Sequence, residues 1–229
     1  MTTCKYKDID YNLHRRNRKT ISIYVERDSN VTVAAPEHIE EDDLNKIIES
    51  KRYWIYKAQL ELQELNKTSI QREIVDGEGF LFLGRSFKLR IDDNLIPPLD
   101  LSGDYFLLDK KVTDNAKKHF IDFYKNNGMS ILQDRVGNFS AKLGLNPEGI
   151  RVMELKNRWA SKSESGVLNF HWKLIMAPLS AIDYVIVHEL AHMIEENHNN
   201  AFWSIVESVI PDYLERKNWL KVNGASLSI

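Results

Sequence analysis

The five residues from His188 to His192, which read His-Glu-Leu-Ala-His, limit the possible folds of this chain more than any other segment does. Histidines four positions apart lie on one face of an α-helix, about one turn apart. The preceding residues 184–187 are all apolar or aromatic, so we expect the helix to be buried. Ser180 followed by Asp183 is typical of a capping box, which predicts a helix over residues 181–195. Two imidazoles and a carboxylate inside a buried helix need a chemical partner, because unpaired polar groups are costly to bury.

This spacing is typical of a divalent metal site. His188 and His192 can bind one Zn²⁺ through neutral imidazole nitrogens, and Glu189 lies beside the first of them. A zinc ion lowers the pKa of bound water to about 7, so a carboxylate can accept its proton at neutral pH. The residues therefore predict one zinc ion per chain and a hydrolytic reaction with Glu189 as general base.

A catalytic zinc site needs a third protein ligand and an open position. His198 is our candidate, because Asn197 can adopt a left-handed conformation that ends the helix and returns the chain towards the metal. Glu195, Glu196 and Glu207 remain alternatives, since each could supply a carboxylate oxygen instead.

Composition excludes several other classes of protein. Cys4 is the only cysteine, so neither an internal disulfide nor a multi-cysteine zinc knuckle is possible. The formal net charge of −2 does not indicate nucleic-acid binding. The sequence contains neither an apolar N-terminal run typical of a signal peptide nor a stretch typical of a membrane helix. We expect a cytoplasmic protein, and the sequence favours no particular oligomeric state.

The hydrophobic patterns predict an α+β fold in two parts. Residues 1–109 would form an N-terminal β-rich subdomain with one long helix, and residues 110–229 a catalytic domain. In the first part we predict strands over 20–26 and 31–35, followed by a helix over 40–65. No internal repeat is visible in the sequence.

The second part is predicted to begin with a long helix. This helix would start at Asp114 as N-cap, continue through Gly128 and end at Gly144. Strands over 150–155 and 167–172 would then flank a turn.

Several further motifs accompany the helix, in chain order Arg18–Ile23, Trp54–Ile55, Asn157–Ser161, Asn169–Lys173, Ala177–Leu179, Ile182–His192, Asn197–His198, Phe202–Trp203 and Pro211–Tyr213. Together they resemble the YgjP-like predicted zinc metallopeptidases, relatives of the SprT-like and WLM zincins, over nearly the whole chain. The resemblance implies a zincin-like core over about 110–220, with His188, His192 and His198 as zinc ligands and Glu189 as base.

The resemblance is not complete at one motif. The family often reads Asn-Arg-Trp-Gly-Ser-Cys where this chain has Ala160 and Lys162 at the Gly and Cys positions. We therefore expect no role for a thiol there.

The expected substrate is a peptide or protein that pairs with a strand near the active helix, and we place this strand at Val167–Trp172. Arg158 and Trp159 are tentative substrate-binding residues. Arg158 is our first candidate for stabilising the oxyanion of the reaction, with Tyr184 and Tyr213 as alternatives.

Two other functions stay open at this point. The first is a nucleic-acid-associated protein-processing factor of the SprT-like type, which the basic residues at 15–19 would serve. The second is a structural zinc module without catalysis.

Overall fold

The computed structural model describes residues 2–26, 29–66, 71–155 and 158–229, so Asn157 of the sequence motif lies outside the described residues. The chain divides into two compact units, Met1–Ser69 and Ile70–Ile229. Both contain helices and sheets, and the predicted α+β class is confirmed. Residues 79–109 belong to the second compact unit, whereas a functional division at residue 109 stays a prediction.

The first unit is a four-stranded sheet followed by one long helix. Its elements are β1 (Thr2–Tyr6), β2 (Ile9–Arg16), β3 (Ser22–Val25), β4 (Val31–Pro36) and α1 (Glu41–Asn66). The strand order is β1-β2-β4-β3, with β2 and β4 parallel and the other pairs antiparallel. The predicted β-β-α order corresponds to β3, β4 and α1. It was incomplete, because it did not include β1 and β2.

The core of this unit lies between the sheet and α1. Every second residue of β2 and β4 is buried, including Tyr11 and Val33, because successive side chains of a strand point to opposite faces. Leu44, Ile48 and Ile55 of α1 are also buried and belong to the same hydrophobic cluster.

The second unit opens with the same arrangement of elements. Its strands β5 (Gly79–Phe82), β6 (Arg85–Asp92), β7 (Leu99–Ser102) and β8 (Tyr105–Asp109) precede the long helix α2 (Ala116–Leu143). Their order, β5-β6-β8-β7, and the directions of pairing match those of β1 to β4. The chain therefore contains a repeated ββββα topology, although its amino-acid sequence shows no repeat.

The long helix α2 differs from its prediction at its beginning. Asp109 caps a 3₁₀ helix (Lys110–Asn115) by accepting a hydrogen bond from the Lys111 backbone N–H, and α2 follows directly. The predicted N-cap, Asp114, lies inside that 3₁₀ helix. The other end agrees with the prediction, because Gly144 has a left-handed conformation with φ of 65°.

Gly128 lies in the middle of α2 for a packing reason. A Cβ atom at this position would lie 2.6 Å from Cγ1 of Ile175. Glycine therefore lets α2 approach the 3₁₀ helix Trp172–Met176 closely, despite its low helix propensity.

The second sheet of this unit has three strands, β9 (Gly149–Met153), β10 (Ala160–Lys162) and β11 (Val167–His171). Their order is β10-β11-β9, with β9 and β11 parallel and β10 and β11 antiparallel. The predicted hairpin between 150–155 and 167–172 was wrong, since the short strand β10 is the partner across the turn. Strand β11 is central and β10 lies at the edge.

The unit ends with α3 (Leu179–Ala191), α4 (Asn200–Val209) and α5 (Tyr213–Asn223). The predicted capping box of α3 was wrong, because the N-cap is Pro178 and Ser180 lies inside the helix. Asp183 instead accepts hydrogen bonds from both Nε and Nη2 of Arg135 on α2. Arg216 of α5 lies 3.9 Å from the same carboxylate, so α2, α3 and α5 meet at one buried charge.

Across the ranges that the structure describes, none of the helices combines the length and the apolar character required to span a lipid bilayer.

Candidate metal centre

Helix α3 is buried on almost every side over most of its length. Its residues Ala181 to Val187 are all buried, and His188 is the first partly exposed residue after them. The turn between β5 and β6 supports its beginning, where the backbone N–H groups of Leu83 and Gly84 donate to the carbonyls of Ile175 and Met176. The apolar helix thus ends in a polar turn that reaches the surface.

The turn after α3 returns the chain towards the helix. The backbone N–H groups of Ile194 and Glu195 both donate to the carbonyl of Ala191, and Asn199 then caps α4 by accepting from the Phe202 N–H at 3.0 Å. Asn197 is not among the non-glycine residues with positive φ in the described ranges. The predicted left-handed Asn197 was therefore wrong, although the chain does reverse.

The reversal brings His188, His192 and His198 together, and we refer to them as the three-histidine group. Their rings lie 4.7 to 4.9 Å apart between centroids, and one possible ligand atom from each lies within 4.8 Å of the others. The Nε2 atoms of His188 and His198 are 3.0 Å apart. Two nitrogens bound to one tetrahedral zinc ion lie about 3.3 Å apart, so the group has the dimensions of a single metal site.

Aromatic packing holds the group in place. The buried ring of Phe202 contacts all three imidazoles, at centroid distances of 4.6 to 4.9 Å. His192 Nδ1 lies 3.3 Å from the carbonyl oxygen of Glu195, which favours Nε2 as its metal-binding atom. His188 Nδ1 is buried without a hydrogen-bond partner among the described residues, so packing against Phe202 and Tyr184 sets its orientation.

The three imidazoles are neutral at pH 7. Burial, and to a smaller extent neighbouring positive charge, lowers the pKa of His188 to about 3. Burial also lowers the pKa values of His192 and His198. Metal ions bind the neutral form of imidazole, so the site needs no deprotonation step before it binds one.

The alternative oxygen ligands do not join the group. Among the described residues, the possible metal ligands that cluster here are the three histidines. Glu195 accepts a hydrogen bond from the Asn197 N–H, whereas Glu196 and Glu207 are exposed.

Glu189 is buried next to the group. Burial raises the pKa of its carboxyl to about 7, and three effects oppose the rise: the Lys162 backbone N–H donates to the carboxylate, and the charges of Arg158 and Lys162 attract it. A carboxyl with a pKa near neutrality is suited to proton transfer in both directions.

Strand β10 presents its outer edge near this carboxylate. Trp159 pairs with His171 and Ser163 with Val167 through backbone hydrogen bonds. Because hydrogen-bonded and non-hydrogen-bonded pairs alternate, the backbone groups of Ala160 and Lys162 point away from β11. The expectation that Val167–Trp172 is the accessible strand was wrong, since β11 lies between two partners.

The two tentative substrate-binding residues lie in different surroundings. Arg158 is exposed, and its charge acts on Glu189. Trp159 is half-buried, with its ring 6.2 Å from that of His171, and a Cβ atom on Gly224 would lie 2.9 Å from its indole. Trp159 therefore packs against the C-terminal segment, and the structure does not place it in the three-histidine group.

Side chains of α4 and α5 also border the three-histidine group. Trp203 stacks on His198 at 5.7 Å and on Tyr213 at 5.2 Å. Lys217 lies one turn after Tyr213, with its Nζ 4.5 Å from the Trp203 ring. No sequence signal identified Lys217, because its approach depends on the packing of α5.

Comparisons with known proteins relate the chain to metallopeptidases. The model of the YgjP-like, metallopeptidase domain family matches residues 19–223. The crystal structure of the metallopeptidase zymogen of Pyrococcus abyssi abylysin is 26% identical and covers 38% of this chain and 89% of its own, with a TM-score of 0.36. Comparison with curated proteins gives no match.

Proposed function

Because the chain belongs to the YgjP-like metallopeptidase family, we propose that it hydrolyses peptide bonds at a zinc site formed by His188, His192 and His198, with Glu189 as general base. The observation that supports this most strongly is the convergence of three neutral imidazoles beside one buried carboxyl. Such a His₃ set leaves the fourth tetrahedral position open, as catalytic zinc sites do.

When bound, zinc supplies Lewis-acid polarisation of the substrate carbonyl and lowers the pKa of water. The protein supplies the proton transfers. Glu189 accepts a proton from the attacking water and passes it to the nitrogen of the leaving amine, and the carboxylate forms again when the amine departs. The Lys162 N–H holds the carboxylate in one orientation during both transfers.

Strand β10 is the proposed docking edge for the substrate. The outward-pointing N–H and C=O of Ala160 and the C=O of Lys162 can pair with an extended peptide, which would bring its carbonyl past Glu189, while the Lys162 N–H stays bonded to the Glu189 carboxylate. Arg158 and Tyr213 both border the site, and either side chain can donate a hydrogen bond to an oxyanion. We propose Arg158 as the first candidate, since it is exposed and already acts on Glu189.

The test compares Glu189→Gln with wild-type protein on a library of peptides, with metal content measured in parallel. We expect the variant to keep its zinc and to lose about 10²- to 10⁴-fold in turnover, because only the proton acceptor is removed. Glu207→Gln is the matched control, an exposed glutamate on α4 that should change neither quantity. Equal turnover in Glu189→Gln and wild type would contradict the role of Glu189, and zinc binding without any hydrolysis by wild type would indicate a structural site.

A further inference from the structure

Three positively charged side chains surround the three-histidine group. Arg158 is exposed two residues before β10, Lys162 lies in β10, and Lys217 is exposed on α5. Lys217 is held close by its contact with Trp203, whose ring in turn stacks on His198. These cations belong to two separate segments, 158–162 and α5, that meet only in the folded unit.

The cations come from two elements that border the site. Lys162 lies in β10, whose backbone contacts Glu189, and Arg158 lies two residues before this strand. Lys217 lies on α5, with its Nζ 4.5 Å from the Trp203 ring that stacks on His198. A peptide that pairs with β10 would therefore meet positive charge from β10 and from α5.

Little negative charge compensates these cations. Within the described ranges, Arg158, Lys162 and Lys217 make no ion pair.

The nearby carboxylates are mostly engaged elsewhere. Glu195 accepts from the Asn197 N–H and Asp212 pairs with Arg216, which leaves the exposed Glu196 beside His192. Neutral imidazole ligands add no negative charge, so a bound divalent cation would strengthen the positive potential.

We propose that the site selects peptides with acidic side chains next to the scissile bond, with Lys217 as the specificity-determining residue on the α5 side and Arg158 on the β10 side. This inference rests on the proposed function and names its substrate class. Trp203 and Tyr213 form a low-dielectric wall beside Lys217, which strengthens its attraction for a carboxylate relative to open water.

The test measures peptide binding separately from catalysis. Three fluorescein-labelled alanine-based peptides carry Glu, Gln or Lys at the two positions on each side of the central bond. Their affinities for zinc-loaded Glu189→Gln protein are measured by fluorescence anisotropy. We expect the Glu peptide to bind about tenfold more tightly than the Gln peptide at low salt, and the difference to shrink as salt is added.

Charge reversal then identifies the responsible residues. Lys217→Glu in the same background should abolish the preference for the Glu peptide and favour the Lys peptide. Lys117→Glu makes an equal change of charge at an exposed residue near the beginning of α2 and should keep the wild-type order.

Each outcome decides one of the two proposals. Equal or absent binding of the three peptides would overturn the selectivity, and a preference that survives Lys217→Glu would overturn its assignment to Lys217. Cleavage of any peptide by the wild-type protein would in that case leave the proposed hydrolysis standing. Tight binding of the Glu peptide without cleavage by wild type would overturn the hydrolysis and leave the selectivity intact.

Discussion

Asp183→Asn is the substitution whose effect on stability follows most directly from the structure. Asp183 is 8% exposed, and it accepts two charge-assisted hydrogen bonds from Arg135 while Arg216 lies nearby. Asparagine keeps the shape and one acceptor but removes the negative charge between two guanidinium groups. Charged hydrogen bonds contribute about 1.5–3 kcal/mol each, and breaking a buried ion pair costs about 3–5 kcal/mol. We expect a loss of about 3 kcal/mol in the free energy of unfolding.

Thermal unfolding of metal-free protein, followed by circular dichroism, measures this loss without the stabilisation that a bound metal adds. For a unit of this size a loss of about 3 kcal/mol lowers Tm by about 6–12 °C. Asp212→Asn removes another partner of Arg216, but the Asp212 side chain is 48% exposed. The control should therefore lower the Tm much less than Asp183→Asn does. Equal Tm values for the two variants would refute the idea that Asp183 joins the three helices.

Three further predictions concern packing and pH. Gly128→Ala should destabilise the protein by about 1–3 kcal/mol in urea titrations, because the new methyl group meets Ile175, and the same substitution should destabilise less in an Ile175→Ala background. Phe202→Ala should cost about 3–5 kcal/mol and weaken zinc binding measured by calorimetry, because its ring supports all three imidazoles. The pKa of Glu189 is raised to about 7, so its contribution to folding is complete below its unfolded pKa and is lost as pH rises through 7. Metal-free Glu189→Gln should therefore gain stability over wild type, up to about 3 kcal/mol, between pH 4.5 and pH 8; a constant difference would contradict this.

The sequence predicted which histidines lie together better than it predicted how the strands and helices are connected. His188 and His192 are readable because helical spacing alone places them on one face. His198 was predictable as a neighbour because only five residues separate it from His192, although the turn between them uses hydrogen bonds to Ala191 rather than a left-handed Asn197. Local geometry is what a sequence pattern specifies, and these features are local.

The missed features depend on contacts between distant residues. Strand β10 has three residues, too few for an alternating pattern, so the sequence did not show that β11 pairs with β10 on one side as well as with β9 on the other. Asp183 matched a capping box, but its partner Arg135 lies 48 positions away and outweighs the local signal. Strand β1 was missed because its residues Thr2–Tyr6 are mostly polar and none is buried, whereas β2 does alternate, with Ile9, Tyr11 and Leu13 between polar residues, and could have been predicted.

The metal content of purified protein tests the central claim most directly. Elemental analysis of wild type, His188→Ala, His198→Ala and Glu207→Ala distinguishes the three-histidine site from a site with a carboxylate ligand. We predict about one zinc ion per chain in wild type and Glu207→Ala, and its loss in both histidine variants. Zinc that stays bound in His198→Ala, or a wild-type protein that binds none after reconstitution, would contradict the account.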